Sequence, residues 1–391
     1  MYDERIDTEE EKSSIINFDD RTICDENGMV KKYHNNYQID SKKANVNMII
    51  GRRANGKSYG TLTLDGIKDF IDSGYTDQFA YVRRWDTEMA IIQKDIFNGM
   101  IQNGWLEWYS KGAWNDIQYW RGKWYLRRLN EDHEIEDKCP TPMAYAFCVN
   151  TAEKAKGPDY PYIKKIIFDE FIPMSGRYCP KELTLWQNLI STIDRGRNKC
   201  KIYMIANTIS KDCLHFDYYD IDPDALDQGK IYIKPCGTKG KLAIEYCKDV
   251  GEANTFESVY FKEDDEVGSM ILTGGWQTRK FPALPENLDV DAVKTFTVYF
   301  LYKGKLLQCD FLHLGEVNTL YFSMCKEKTI EPDDLLFTDD VYPDAIGMSN
   351  VIVTLHTGNK VSDVILKYLA SSRCYYETDD VGEKIMNFAE K

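Results

Sequence analysis

One stretch constrains the fold of this chain more than any other. It runs from Val46 to Ser58 and reads VNMIIGRRANGKS. Its apolar start predicts a short buried strand, after which a glycine-bounded loop leads into Lys-Ser at the mouth of a helix. Strand, G-x-x-x-x-G-K-[ST] and helix in this order form a phosphate-binding loop, or P-loop. Such a loop aims backbone N–H groups at one point, so the stretch predicts a nucleoside triphosphate site.

The residue types within the loop predict a separate role for each residue in binding the nucleotide. Gly51 and Gly56 permit the turn. Lys57 is expected to reach the β- and γ-phosphates of ATP, and the Ser58 hydroxyl to ligate Mg²⁺. The candidate nucleotide-binding residues are therefore Gly51, Arg53, Asn55, Gly56, Lys57, Ser58 and Tyr59. A polar loop with a fortuitous Lys-Ser is the alternative that the motif alone leaves open.

A second motif lies at residues 163–170, which read IKKIIFDE. An apolar strand ending in Asp-Glu is the Walker B arrangement. Asp169 is then expected to hold the Mg²⁺ shell, and Glu170 to orient and polarise the attacking water. Four apolar residues before two acids are a weak signal alone. Because the motif follows a P-loop with strands in between, the pair predicts an ATPase.

Two further strands are expected to bring polar residues to the same edge of a parallel sheet. The strand at 78–84 ends in Arg83 and Arg84, which either face the nucleotide or a neighbouring subunit, or are solvated at a strand end. A helix at 180–194 precedes a strand at 201–207, and Asn207 at its end is a candidate sensor of the γ-phosphate. An asparagine that merely caps the strand is the alternative.

Composition narrows the class of protein. The chain has 391 residues, of which 43% are apolar, and this predicts about two globular domains. It contains no apolar run long enough to cross a bilayer, and its start is acidic, so we expect a soluble intracellular protein with no membrane partner. The eleven cysteines form no C-x-x-C pair, which favours reduced thiols over zinc or disulfides. A net charge of −14 still allows a narrow basic channel for nucleic acid.

Changes in composition suggest a division of the chain into four parts. We expect an N-terminal arm at 1–45, a P-loop ATPase domain at 46–220, a linker segment with one or two short elements at 221–285, and a second domain at 286–391. The arm is expected to be partly ordered. A second possibility is that its Tyr33 or Tyr37 covers the nucleotide base.

The region between the second strand and the Walker B strand is rich in aromatic residues. Apolar spacing predicts a helix over Glu88 to Asn103, and residues 105–129 predict antiparallel hairpins that turn at Lys111-Gly112 and at Arg121-Gly122-Lys123. Aromatic residues interleaved with Lys and Arg can stack on nucleic-acid bases. Alternation of this kind is also typical of an ordinary half-buried hairpin, so both interpretations stay open.

Four blocks together resemble the DNA-packaging ATPases of small tailed bacteriophages, the phi29-like group. The blocks are GRRANGKSY from Gly51, FAYVRR from Phe79, IFDEFI from Ile167, and the Arg195-x-Arg197 to Asn207 stretch. They fall in the family's order over residues 46 to 210. The long N-terminal arm departs from the family's shorter start.

The resemblance implies an additional-strand (ASCE) P-loop motor. Such a motor assembles as a ring, a pentamer, on the phage portal and drives double-stranded DNA into the prohead in the host cytoplasm, in some cases with a structural RNA. It also implies that Arg197, with Arg195 as second choice, is an arginine finger for the neighbouring subunit, and that Lys156 assists in trans. The strands and helix expected after residue 295 resemble an RNase H-like domain, a vestigial nuclease.

Two questions of function remain open at the level of sequence. A large terminase subunit would also cut DNA and would need a carboxylate cluster in the second domain, where Asp310 and Glu316 make a poor site. A nucleotide-dependent switch or scaffold would show no DNA-stimulated turnover. For DNA binding we expect Arg177 and Lys181, on the mobile loop after Glu170, with Lys111 as second choice. Solvated surface residues are the alternative for all three.

Overall fold

The computed structural model describes residues 33–174, 176–248, 276, 280–285, 293–302, 305–314, 317–325, 330–338, 351–352 and 354–389, and the backbone of 3–4. The chain divides into two compact units, Met1–Gln277 and Thr278–Lys391. We call these the N-terminal unit and the C-terminal unit and describe each by itself.

The N-terminal unit is built on one mixed sheet. Its strands are β1 Asp3–Glu4, β2 Val46–Gly51, β3 Gln78–Arg83, β4 Asp116–Trp120, β5 Lys123–Leu129, β6 Ile135–Lys138, β7 Ala144–Cys148, β8 Ile163–Asp169, β9 Lys201–Asn207, β10 Ile231–Cys236 and β11 Gly240–Tyr246. Its α-helices are α1 Tyr37–Ser41, α2 Lys57–Thr61, α3 Asp69–Asp72, α4 Asp86–Ile92, α5 Asn98–Gln102, α6 Trp105–Tyr109, α7 Glu182–Asp194 and α8 Leu214–Tyr218. Short 3₁₀ helices span Val149–Ala155 and Pro223–Ala225.

The strand order places the two candidate nucleotide-binding motifs close together. The sheet runs β1-β10-β11-β2-β9-β8-β3-β7-β5-β4, with β6 beside β5, and the six strands from β11 to β7 are parallel. Strand β9 therefore lies between β2 and β8. Because parallel strands end at the same side of a sheet, β2, β3, β8 and β9 all deliver their last residues to one edge, which we call the carboxyl edge.

Alternate residues of the central strands pack on opposite faces of the sheet. Met48 and Phe168 belong to one apolar cluster, and Ile49 and Ile167 to the other. A sheet with both faces buried requires near-continuous apolar runs, and the runs in β2, β8 and β9 meet this requirement. The strands predicted from those runs are confirmed.

The helix after the P-loop is continuous but irregular. It starts as α2, continues as a π-helical segment at Leu62–Lys68, and ends as α3 before Gly74. The predicted helix is thus confirmed, and the π segment could not be predicted from apolar spacing. The segment presents Asp65 to the sheet, where it accepts hydrogen bonds from Tyr203 and Lys165.

Two predictions for the aromatic-rich region need correction. The helix expected over Glu88 to Asn103 is two helices, α4 and α5, separated by a turn. Residues 105–109, expected in a hairpin, form α6, because Gly104 supplies a left-handed N-cap at φ 71° and the Lys111-Gly112 turn closes the helix rather than joining two strands. The hairpin that turns at Arg121-Gly122 is confirmed as β4 and β5.

The predicted linker at 221–285 is also corrected. Strands β10 and β11 lie within it, and β11 pairs in parallel with β2 in the main sheet. The Gly and Pro residues that suggested a linker mark a hairpin: Gly237 lies in its turn, and Pro235 lies beyond the two residues of β10 that pair with β1. Residues 249–275 and the acidic cluster at 263–266 lie outside the described residues.

The arm at 1–45 is ordered where the structure describes it. Asp3–Glu4 pairs with β10, and residues 33–45 contain α1 and pack on the P-loop helix. Residues 5–32, including Lys31-Lys32, lie outside the described residues.

The C-terminal unit contains a six-stranded sheet. Its strands are β12 Val293–Tyr302, β13 Lys305–Leu314, β14 Val317–Met324, β15 Leu336–Thr338, β16 Val351–Ile352 and β17 Cys374–Tyr376, and its helices are α9 Lys360–Ala370 and α10 Asp379–Ala389. The order is β16-β15-β12-β13-β14-β17. The first three strands are antiparallel, and β15 pairs in parallel with β12. Both helices contribute to its apolar core, through Ile365 and Phe388 among others.

Two other expectations can be compared with the described residues. No helix among them is long and apolar enough to cross a membrane. The cysteines among them are all free, and most are buried.

The close packing of the arm on the P-loop helix leads to a first prediction. A Cβ atom at Gly60 would lie 2.0 Å from the carbonyl oxygen of His34, which is backbone and cannot rotate away. We expect Gly60→Ala to lower the free energy of unfolding by about 1–3 kcal/mol, as overpacking does. Gly99→Ala is the control, because its Cβ would meet only Tyr59, at 3.5 Å. Equal stability of the two variants in urea denaturation would contradict this packing.

Candidate nucleotide site

The P-loop connects β2 to α2 at the carboxyl edge. Ala54 and Gly56 both have left-handed backbone, with φ of 63° and 76°. A Cβ atom at Gly56 would also lie 2.6 Å from Tyr33 Cβ, so the position needs glycine for two reasons. The loop has the glycine-dependent shape that the motif predicts.

Lys57 is buried at the start of α2. Its ammonium group donates hydrogen bonds to the carbonyl oxygens of Gly51 and Arg52, at 3.0 and 2.5 Å, and to Asn207 Oδ1 at 3.2 Å. The structure thus brings the predicted P-loop lysine and the predicted sensor asparagine together. They meet because Gly51 and Asn207 are register partners at the ends of β2 and β9.

Asp169 connects three elements of the site. Its Oδ1 accepts a hydrogen bond of 2.7 Å from Ser58 Oγ, and its Oδ2 accepts one of 2.9 Å from the hydroxyl of Tyr81 on β3. Burial, together with the charge of Asp169, raises the pKa of Tyr81 well above its ordinary value, so this hydroxyl remains a donor. The two residues predicted to hold Mg²⁺, Ser58 and Asp169, are therefore in direct contact.

Glu170 follows β8 in a left-handed conformation, with φ 58°. Its carboxylate is half exposed and forms an ion pair of 2.6 Å with Arg83, which also lies 3.6 Å from Asp169. Of the two arginines at the end of β3, Arg83 is thus the one that contacts the candidate catalytic carboxylates. Its position at the end of a neighbouring parallel strand was the signal in the sequence.

Arg84 is fully buried, and its carboxylate partner is Glu182. It pairs with both carboxylate oxygens of Glu182 at 2.8 and 3.1 Å, and it donates to the backbone carbonyl oxygens of Glu170 and Phe171 at 3.0 and 2.6 Å. Its guanidinium also lies 5.1 Å from the ring centroid of Tyr178. Arg84 therefore fixes the backbone on which Glu170 is mounted.

Glu182 has two further partners. It accepts a hydrogen bond of 2.8 Å from the backbone N–H of Cys179 and lies 3.1 Å from His215 Nε2 on α8. Burial alone would raise the pKa of Glu182, but the hydrogen bond to His215 and the charge of Arg84 outweigh it and hold the pKa below its usual value. Glu182 and His215 could not be predicted from the sequence, because no local pattern marks a long-range buried ion pair.

These residues surround a cavity of about 350 Å³. Its lining comes from the loop, from the end of β8 and from the end of β9: Arg53, Ala54, Asn55, Gly56, Lys57, Ser58, Tyr59, Asp169, Glu170, Ile205, Ala206 and Asn207. Apart from Gly51, all the predicted nucleotide-binding residues line it. Asn55 donates to the carbonyl oxygen of Lys248, and Arg53 contacts Met174.

The arm contributes an aromatic residue beside the loop. The ring of Tyr33 stacks on that of Tyr59, with centroids 4.5 Å apart. Tyr37 is exposed on α1. Of the two tyrosines considered for the base, Tyr33 is the one that lies against the P-loop, and its role toward a base stays a prediction.

The candidate trans-acting residues lie at the other edge of the sheet. Strand β8 ends at the carboxyl edge, and α7 runs back, so Arg195 and Arg197 follow α7 where β9 begins. Arg197 donates to Asp159 Oδ1 at 3.0 Å and to the carbonyl oxygen of Ile193 at 2.8 Å. Lys156, 3.4 Å from Glu153, precedes β8 at the same edge. The structure does not bring Arg195, Arg197 or Lys156 to the cavity of their own chain.

The candidate DNA-binding residues lie on two exposed segments. Arg177 and Lys181 are exposed between β8 and α7, where Lys181 caps the helix with φ 58°. Ser175 of this loop is outside the described residues. Lys111 is exposed after α6 and has φ 52°.

Beneath the P-loop lies a buried group of His34, Glu245 and Cys247. His34 Nε2 is 3.7 Å from Glu245 Oε2 and 3.8 Å from Cys247 Sγ. Burial, with the charge of Asp40, raises the pKa of Glu245 to about 8. Burial, with the charge of Lys57, lowers the pKa of His34 to about 3. Both side chains are therefore neutral at pH 7.

The fold and this arrangement define a P-loop type domain with a candidate nucleotide site. The chain belongs to the family described as Podovirus DNA encapsidation protein (Gp16), whose sequence profile matches residues 29–235. The "DNA packaging protein" of Bacillus phage phi29 is 27% identical over 203 residues, which are 51% of this chain and 54% of that protein. The corresponding protein of Bacillus phage B103 is 29% identical over 181 residues, or 46% and 49% of the two chains. The chain thus spans about half the length of these relatives.

Solved structures show the same fold over a longer stretch. A chain of the bacteriophage Phi-29 viral genome packaging motor assembly aligns with 90% of this chain and 97% of its own length, with a TM-score of 0.55 and 20% identity. A chain of the Phi-28 gp11 DNA packaging motor aligns with 92% and 98%, with a TM-score of 0.55 and 16% identity. At these identities the likeness concerns the fold alone.

The cluster around Arg84 leads to a second prediction. Removing one member of a buried ion pair leaves the other charge unpaired, at a cost of about 3–5 kcal/mol. We expect Arg84→Gln to lower the free energy of unfolding by about this amount. Arg128→Gln is the matched control, because Arg128 pairs with Glu136 at the surface, with both side chains about half exposed, where a pair is worth about 0–1 kcal/mol.

The double variant Arg84→Met with Glu182→Leu should be more stable than Arg84→Gln, because neither charge is then left alone. Chemical denaturation measures all of these variants. Similar small losses for Arg84→Gln and Arg128→Gln would show that the buried cluster does not hold the end of β8.

A third prediction concerns pH. In the unfolded chain Glu245 loses its proton near its ordinary pKa, about 4.3, whereas the folded protein retains it up to about pH 8. The unfolded state then binds fewer protons, so this residue makes stability fall as pH rises between those values. We expect Glu245→Gln to raise the melting temperature relative to wild type more at pH 8 than at pH 5. An equal gain at both pH values would mean that Glu245 is ionised in the folded protein.

Proposed function

We propose that this protein is an ATP-driven translocase that packages double-stranded viral DNA into a prohead as part of a ring motor. The observation that carries the proposal is the junction of the P-loop with Asp169 and Glu170 at one edge of the sheet, in a chain that belongs to a DNA encapsidation family. The similar packaging motor structures support the ring.

The cavity fits ATP with Mg²⁺. A left-handed glycine at the N-cap of α2 and a buried lysine ammonium at its first position are what a polyphosphate requires, and a hydroxyl 2.7 Å from a carboxylate suits a hard cation. Lys57 and the backbone of residues 51–57 would hold the phosphates, and Ser58 with Asp169 the Mg²⁺. Bound Mg²⁺ neutralises charge on the phosphates, which lowers the barrier to hydrolysis.

Glu170 would act on water in this scheme. Its half-exposed carboxylate lines the cavity, where it would accept the proton of the attacking water. The ion pair with Arg83 competes for the same carboxylate, so it must loosen or reorient when Glu170 works. Asn207, hydrogen-bonded to Lys57, would sense the γ-phosphate through this lysine.

A neighbouring subunit would complete the site. Arg197 lies at the edge of the sheet opposite its own cavity, which supports a role in trans. Arg195 is the second choice for this role, and Lys156 would assist. An arginine finger stabilises the charge that develops on the transferred phosphoryl group and is worth about 10³–10⁵ in rate.

The finer fold assignments are also proposals. The position of β9 between β2 and β8 supports an additional-strand (ASCE) P-loop fold. In the C-terminal unit, three antiparallel strands flanked by the parallel strands β15 and β16 support an RNase H-like domain.

We propose that this C-terminal domain does not cut DNA. Its first strand, β12, carries no acid, and Asp310 is engaged by Thr297 at 2.7 Å and Lys294 at 2.7 Å. Glu316 lies outside the described residues. Metal-dependent cleavage lost in Asp310→Ala would instead favour the large terminase alternative.

The remaining partners are proposed from the family. They are the phage portal and prohead, a homo-oligomeric ring that we take as a pentamer, a structural RNA in some motors, and the host cytoplasm as the place of work. Arg177 and Lys181 are proposed to contact DNA phosphates on the loop after Glu170, with Lys111 as second choice. No membrane partner is proposed.

The fourth prediction tests the ATPase. Lys57→Ala should abolish nucleotide binding, because Lys57 balances phosphate charge. Glu170→Gln should bind ATP but lose about 10²–10⁴ in turnover, because it acts only on water. Isothermal titration with a slowly hydrolysed ATP analogue and steady-state turnover with double-stranded DNA measure the two effects. Unchanged nucleotide affinity in Lys57→Ala would refute the site.

Mixed rings extend the same test to the finger. Arg197→Ala subunits keep an intact Glu170, and Glu170→Gln subunits keep an intact Arg197. Neither is active alone, but a mixture should recover part of the turnover if Arg197 acts in trans. No recovery at any ratio would count against this assignment of the finger, and turnover that DNA never stimulates would favour the switch or scaffold alternative.

A further inference from the structure

The β4–β5 hairpin ends in a partly exposed tip that the proposed ATPase cycle does not use. The tip is Trp120-Arg121-Gly122-Lys123, and we include Lys138 of the adjoining β6 in it. Arg121 and Gly122 have φ of 48° and 77°, so two left-handed residues form a tight turn that matches the twist of the strands. Trp120 and Lys123 are register partners across this turn.

Two cations of the tip lie on the ring of Trp120, which is 47% exposed. The Arg121 guanidinium is 4.7 Å from the ring centroid, and the Lys138 ammonium is 5.3 Å from it. Lys138 also lies 4.3 Å from the ring of Tyr125. The aromatic faces, together with the Gln118 side chain that accepts a hydrogen bond of 3.2 Å from Lys138, hold both charges in place without neutralising them.

The third cation, Lys123, is held in the same way. Its ammonium lies 5.1 Å from the ring centroid of Tyr145 on β7. Three positive charges are thus attached to ring faces around one hairpin end.

None of the three cations of the tip has a carboxylate within 4.0 Å among the described residues. Farther along the same strands the arrangement is different, because Arg127 pairs with Asp116 and Arg128 with Glu136. In a chain with a net charge of −14, acids are abundant. Three ordered cations left without one form a local positive patch in an acidic protein.

The tip lies at the carboxyl edge of the sheet. Strand β5 runs antiparallel to β7, and the carbonyl oxygen of Gly122 accepts a hydrogen bond of 2.8 Å from the N–H of Ala146, toward the end of β7. The P-loop and Glu170 open at this edge too. From β2 to β5 there are five strand spacings, or roughly 24 Å at about 4.8 Å each.

We propose that this tip contacts the phosphates of the double-stranded DNA that the motor moves. This rests on the proposed function and adds a contact site to it. Bases in a duplex are already stacked, so Trp120 would not read them, and its ring serves instead as a platform that restricts the positions of Arg121 and Lys138. Cations that are ordered before binding lose less side-chain entropy when they meet a phosphate.

The experiment removes the three charges together. The variant Arg121→Ala, Lys123→Ala, Lys138→Ala is compared with wild type and with a control that removes the same charge elsewhere, Lys43→Ala, Lys94→Ala, Lys239→Ala. Circular dichroism and melting temperature verify that both variants fold. Binding of a labelled duplex of about 30 base pairs is measured by fluorescence anisotropy from about 50 to 200 mM salt.

We expect the tip variant to bind duplex DNA at least about tenfold more weakly at low salt, and to lower the slope of log K against log salt by about two to three, since each lost phosphate contact removes about 0.9. The control should keep most of the affinity and slope. Equal losses of affinity and slope in both variants would show that only the net charge of the protein matters, and would overturn the proposal.

Other outcomes separate this inference from the proposed function. If Arg177→Ala with Lys181→Ala weakens binding while the tip variant binds like wild type, DNA is bound but not by the tip. If wild type binds no duplex DNA at all, the proposed function fails as well. A tip-dependent preference for duplex RNA or for single-stranded DNA would overturn the assignment to DNA phosphates.

Discussion

The parallel register of β2, β9 and β8 is the constraint on which the site depends. It sets Gly51 opposite Asn207, and Asp169 opposite Ile205. With these pairs aligned, Lys57 at the start of α2 reaches Asn207, and Ser58 reaches Asp169. A shift of one residue would turn each side chain to the other face of the sheet. The apolar clusters on both faces hold the register. The geometry of the site therefore depends on the packing of the core.

Buried contacts beneath the cavity hold the candidate catalytic side chains in place. Arg83 is the last residue of β3, and Arg84, which follows the strand, reaches different partners. One meets the carboxylates of Asp169 and Glu170 on the cavity side, and the other reaches Glu182 in the interior. Arg83 therefore holds the side chain of Glu170, and Arg84 holds its backbone. The same buried cluster contacts Cys179 and Tyr178, so the loop that carries Arg177 is tied to the end of β8.

The parts of this fold that could be predicted from sequence are those with a local pattern. The P-loop, the Asp169-Glu170 strand end and the central strands follow from glycine spacing and apolar runs. The sequence at Trp105 predicts a strand, because aromatic residues favour strands and Gly104 looks like any loop glycine, but these residues form a helix with a left-handed cap. The turn residues around β10 and β11, such as Gly237, predict a linker because the apolar runs between them are short, but these residues form two paired strands. The partnership of Arg84 with Glu182 depends on residues far apart in the chain, and only the folded structure brings them together.

The left-handed backbone at Glu170 determines the direction of its side chain relative to that of Asp169. Along a regular strand, neighbouring side chains point to opposite faces of the sheet, so Asp169 and Glu170 would lie on opposite faces. The turn in the backbone reverses this divergence, so both carboxylates line one cavity. Glycine or asparagine would adopt this conformation with less strain than glutamate does. The chain therefore places an acidic residue in a backbone conformation that glutamate seldom adopts. The backbone strain at Glu170 coincides with the position of a candidate catalytic carboxylate.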